Sequence, residues 1–143
     1  QPLIYVSTGT EFNKMRTDSD AKAAFESFVM NTINDDPAVA TEFIKHYYRK
    51  VKNSGYLFTD SQEGWKTDRG MLYQIFGKPR QVFRNESSEL WVYSYQGGGR
   101  MRFVFDFVNG ENGMKEFKLI RGKKYREFWM NTVADWRKGQ IKE

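Results

Sequence analysis

Two charged residues in this chain stand where they could do chemistry. Asp68 and Arg69 lie together in the run Gly64-Trp65-Lys66-Thr67-Asp68-Arg69-Gly70. A carboxylate beside a guanidinium in a cleft can act as a general acid or base if a second carboxylate meets it in space. An arginine fork can also hold a carboxylate or phosphate through two hydrogen bonds. The same residues admit a purely structural use. Thr67 and Asp68 are of the types that accept hydrogen bonds from free N–H groups at a helix start, and Asp also suits the positive helix end. Trp65 can pack the preceding loop onto the first turn, while Gly64 and Gly70 allow close backbone approach. Arg69 then pairs with Glu89 in a buried or half-buried bridge, or it presents its guanidinium to a ligand. The residues alone leave these alternatives open.

Other chemistry has little to build on. The chain has no cysteine and a single histidine, His46. That removes thiolate catalysis and thiolate metal sites, and leaves no multi-histidine zinc site. Glu42 stands four residues before His46 and could join it as a second ligand, but no third follows. A surface histidine is the expectation. Asp35-Asp36 reads as a helix cap, and Asp60 with Glu63 as loop. Gly97-Gly98-Gly99 lacks the helix and lysine that a phosphate-binding loop needs. No cofactor and no metal are called for.

Charge and aromatics suggest two more surfaces. The formal net charge is +5, but residues 1–70 carry 9 basic and 10 acidic side chains, whereas residues 71–143 carry 14 and 8. Lys118, Arg121, Lys123, Lys124 and Arg126 form a run without an acid. Such a run can bind nucleic acid or another anionic polymer, or it is a solvated loop entering a helix. Trp91, Tyr93 and Tyr95 share one face of a strand. Turned inward they are core; turned outward, beside Arg100 and Arg102, they make a strip that can stack bases or sugars.

The elements that must position these residues follow from periodicity. A chain of 143 residues is one domain, large enough to bury a core. No apolar run approaches the length of a membrane span. Pro2–Val6 is apolar and β-prone, a short strand. Ala21, Ala24, Phe25, Phe28 and Val29 recur at helical spacing over about 19–33. Asp36-Pro37 starts a second helix, which Asn53-Ser54-Gly55 stops. Residues 56–64 read as loop. Thr67 or Asp68 caps a short helix that ends at Gly77, with Pro79 beyond. Strands follow over 81–84, 90–95, 100–107 and 114–120; Met101, Phe103, Phe105 and Phe107 alternate with mostly polar neighbours. A last helix covers about 123–138. The fold class is α+β: one antiparallel sheet of three to four strands, helices packed on one face, N-terminal helices and a C-terminal helix.

Several ordered motifs carry a family likeness: Gly64-Trp65-Lys66-Thr67-Asp68-Arg69-Gly70, then Phe76-Gly77-Lys78-Pro79, then Glu89, Trp91 and Tyr93, then Trp129, Val133 and Trp136-Arg137-Lys138-Gly139. The chain resembles the GWxTD domain family over most of its length. The resemblance implies a bacterial, exported, cell-envelope protein, periplasmic or outer-membrane-associated. It brings no activity with it. Residues 68–120 are also similar in order to the small outer-membrane-assembly lipoproteins of the BamE/SmpA type, which are scaffolds. The chain begins at Gln1 without Met, which reads as a piece, here the C-terminal domain, of a longer exported protein.

Three functions follow from different classes. The first is a non-catalytic binding or assembly module whose partner is a protein or an envelope polymer. The second is a hydrolase using Asp68 and another carboxylate. The third is an anionic-polymer or nucleic-acid binder built on residues 118–126.

Overall fold

Four of the five α-helices among the described residues begin where a short polar side chain accepts the free N–H groups of the first turn. In the computed structural model, which describes residues 2–33, 35–95 and 97–140, helix α1 (Gly9–Thr17) opens with a reciprocal cap. Thr8 Oγ1 accepts from Glu11 N, and Glu11 Oε2 accepts from Thr8 N. Asp20 caps α2 (Ala21–Thr32) by accepting from Lys22 N and Ala23 N. Asp36 caps α3 (Pro37–Phe58), with Pro37 at its first position. Thr67 caps α4 (Asp68–Phe76), which ends at Gly77 with φ +76°. The last helix, α5 (Lys124–Arg137), is closed by Gly139 at φ +79°.

Between α4 and α5 the chain forms an antiparallel meander of β1 (Gln81–Arg84), β2 (Ser88–Ser94), β3 (Arg100–Asn109) and β4 (Lys115–Leu119), in that spatial order. The register sets Trp91 opposite Phe103, Glu89 opposite Phe105, and Phe105 opposite Leu119. Those side chains share the face against which the helices pack. Phe76 of α4 is at the centre of the contact. Its ring lies 4.8 Å from Phe128, 5.2 Å from Phe103 and 5.5 Å from Tyr93. The α+β class, the N-terminal helices, the single antiparallel sheet and the C-terminal helix are as expected.

Two local expectations are corrected and one element is added. Pro2–Val6 is not a strand: Pro2–Tyr5 is a 3-10 turn, with Val6 N and Ser7 N both donating to Leu3 O. The segment gains more from burying Leu3 and Val6 in the core than from pairing with a sheet edge. Helix α1 is the added element, and the capping-box spacing of Thr8 and Glu11 is its signal in the sequence. Helix α3 does not stop at Asn53-Ser54-Gly55 but continues to Phe58. Ser54 is fully buried and its hydroxyl donates to Lys50 O at 2.8 Å, so the helix is held by packing through a weak stretch.

Candidate functional site

The Gly64–Gly70 corner is built from three backbones in near contact. A Cβ on Gly64 would fall 2.0 Å from the carbonyl oxygen of Ser54 in α3. A Cβ on Gly70 would fall 1.7 Å from the carbonyl oxygen of Gly64. Only glycine fits either place, and the two approaches stack α3, the 3-10 turn Gly64–Lys66 and α4. Thr67 closes the stack: its hydroxyl donates to Gly64 O at 2.8 Å and accepts from Gly70 N at 3.0 Å. Trp65 is half-buried, and its carbonyl accepts from Tyr5 OH at 3.0 Å and Gln74 Nε2 at 3.1 Å. Burial, helped by the nearby Asp68 charge, raises the Tyr5 phenol above its ordinary pKa, so it remains a donor.

Asp68 ties this corner to the far edge of the sheet. Its Oδ2 accepts from Leu119 N at 2.7 Å and its Oδ1 accepts from Arg121 Nη2 at 2.6 Å. Both oxygens are therefore engaged in joining α4 to β4. Sequence reasoning placed Arg121 in a separate basic surface; the structure makes it the partner of Asp68.

Arg69 points the other way, under the sheet. Its guanidinium lies 3.4 Å from the centre of the Phe117 ring, and Nη1 is 3.8 Å from Glu89 Oε1. Burial lowers its pKa from the usual arginine value, and Glu89 works against that shift. Glu89 is 2% exposed. It accepts from Trp91 Nε1 and from Arg84 Nε, each at 2.6 Å, and also pairs with Arg84 Nη2. A carboxylate this deep needs such partners. Phe117 and Arg84, which complete the cluster, were missed in the sequence because neither lies near Arg69 or carries a motif.

The other candidates separate. Trp91 and Tyr93 form no exposed strip. Phe58 covers Trp91 at 5.5 Å and Phe76 covers Tyr93 at 5.5 Å, and Tyr93 OH donates to Gly77 O. Arg100 and Arg102 project from the opposite face of β3, exposed. Lys118 pairs with Glu116 at 2.8 Å. Lys123 and Lys124 stand exposed at the start of α5. His46 is half-exposed on α3 with Arg49 at its Nδ1, while Glu42 pairs with Lys45. Among the described residues, no group of three or more His, Cys, Asp or Glu could hold a metal ion. No helix among them is long and apolar enough to cross a membrane.

The terminal motif is another joint. Trp136 Nε1 donates to Ile75 O at 2.9 Å, and its ring meets Phe43 edge-on at 5.5 Å. Arg137 grips both oxygens of Glu11, at 2.9 and 3.0 Å, and donates to Val6 O.

The chain is thus a one-sheet α+β domain in which a Gly-Trp-x-Thr-Asp corner pins α4 to the edge of the sheet. The family model for the GWxTD domain matches residues 1–138, and the chain belongs to that family. Comparisons with curated proteins and with solved structures returned no match.

Proposed function

We propose that this domain is a non-catalytic binding and assembly module of the bacterial cell envelope. Its partner would be a protein with an apolar centre and an acidic rim, seated on the sheet face turned away from the helices. The observation that carries this reading is the state of Asp68. Both of its oxygens hold the fold together, so the residue that a hydrolase would need is already engaged. Recognition then belongs on a surface the motifs do not consume.

The outward sheet face offers one. Phe83, Leu90 and Val104 stand in one cross-strand row, and Ile120, whose N–H donates to Val104 O, extends it past β4. Phe83 is 54% exposed and Ile120 47%. Arg100 and Arg102 lie beside the row and form no ion pair among the described residues. Apolar surface bordered by these unpaired cations on one side, with Asp106 on the other, suits a partner that brings acidic groups to the cationic side. The cell-envelope setting rests on the family likeness.

The test is capture from envelope extract by the wild-type domain and by a Phe83→Ser/Ile120→Ser double variant, with bound protein identified by mass spectrometry. Exposed positions leave the fold intact, and loss of a central apolar anchor costs about 2 kcal/mol or more of binding. One protein retained by the wild type and lost by the variant supports the reading. Equal retention by both overturns this choice of face.

A further inference from the structure

A cavity of about 520 Å³ opens between α4, the end of β4 and the start of α5. That is the size of a small-molecule site. Its wall is apolar: Leu72 and Phe103 are fully buried floor residues, and Trp129 closes one side. Its mouth is cationic, with Arg121, Lys123 and Arg126 and with no Asp or Glu in the lining. Arg121 is held in place by Asp68. Lys123 and Arg126 form no ion pair among the described residues.

Two features make this mouth electrostatically incomplete. The first turn of α5 holds Lys124 and Arg126 against the single acid Glu127, so cations outnumber anions at the end where the helix dipole is already positive, and Lys123 supplies no side-chain cap. Arg121, Lys123 and Arg126 are exposed to water on one side and border an apolar recess on the other. An occupant that is apolar along its length and negative at one end would satisfy both the wall and the mouth.

We propose that this cavity binds a free single-chain alkyl carboxylate, with the chain against Leu72, Phe103 and Trp129 and the head held by Lys123 and Arg126. The site lies on the helix side of the sheet and is independent of the outward face proposed above. A carboxylate gains charge-assisted hydrogen bonds at the mouth, and the chain gains the transfer of apolar surface out of water.

Calorimetric titration of the whole domain with monomeric decanoate tests it, with decanol and decyltrimethylammonium as matched controls. Saturable one-to-one binding is expected for decanoate, tighter than for either control by about tenfold or more. A Lys123→Ala/Arg126→Ala variant with unchanged melting temperature should bind decanoate about tenfold more weakly. Met71→Trp, which narrows the cavity from its rim, should weaken all three ligands together. Equal affinity for the three heads, or no saturation by monomeric decanoate, overturns the proposal. Binding to anionic vesicles with none to monomeric decanoate also overturns it, and marks the patch as a membrane-facing surface instead.

Discussion

Arg121 and Asp68 are 53 residues apart in the chain, and Arg121 Nη2 donates to Asp68 Oδ1 at 2.6 Å. With Leu119 N on the other oxygen, one side chain at a helix start fixes the free edge of a sheet. The Asp of the family motif is thus a joint between layers. Asp68→Ala should cost about 2–3 kcal/mol, because it leaves a shielded N–H and a cation without their acceptor. Arg121→Ala should cost under about 1 kcal/mol, since that side chain is 67% exposed. Urea unfolding of both variants checks the difference; near-equal, small losses would contradict the joint.

The glycines make a sharper case. Gly70→Ala drives a methyl group into the Gly64 carbonyl, with neither backbone able to yield cheaply, and should cost about 3 kcal/mol or more. Gly55→Ala, 15 residues earlier in the chain and within α3, meets nothing within 4 Å. It should stabilise by about 0.5–1 kcal/mol through helix propensity. Denaturation midpoints of the pair should therefore move in opposite directions.

How much of this could be read beforehand depends on the range of the interaction. The alternation from Met101 to Phe107 identifies β3 because pleat geometry is local. Thr67 identifies the start of α4 for the same reason. Pro2–Val6 misleads because its apolar side chains fit a strand and a docked turn equally well, and only the core decides. Asn53-Ser54-Gly55 misleads because the contact of Ser54 with Gly64 rewards helix where propensity does not. Within the site, Thr67 and the two glycines are legible as a corner, and the Arg69–Glu89 pairing is one of the two uses the residues allow for Arg69. The Asp68–Arg121 and Arg69–Phe117 contacts were not legible. Their partners are set by how β4 lies against α4, and no spacing encodes that.

The buried cluster under the sheet should be strongly coupled. Glu89→Leu leaves Arg69 at 9% exposure without its counter-charge and should cost about 3–5 kcal/mol. Arg69→Met in the Glu89→Leu background should recover much of that loss, because an apolar pair suits the space beside Phe117. Arg84, 57% exposed, can turn to water. A double-mutant cycle measures the coupling; simple additivity would refute a shared cluster.

Glu11 and Arg137 link the two ends of the domain, and their contribution depends on pH. Hydrogen bonds from Arg137 hold the Glu11 carboxyl at about 2, below its ordinary 4.5. A depressed carboxylate stabilises the fold fully above its unfolded pKa and loses that contribution as pH falls through the folded value. Glu11→Gln should therefore cost about 1 kcal/mol at neutral pH, discounted for partial exposure. The gap from wild type should close between about pH 4.5 and about 2. Melting curves across that range check it, and a constant gap would contradict the pairing.

The motif builds the domain, and the proposed recognition surface is the outward sheet face. The most direct test of this division compares the captured partner of two variants, Asp68→Asn and Phe83→Ser/Ile120→Ser, at a temperature where circular dichroism shows both folded. The expected result is that Asp68→Asn melts lower yet keeps the partner, while the sheet-face variant melts normally and loses it. The reverse pattern, with the partner lost from Asp68→Asn and kept by the sheet-face variant, would contradict the account.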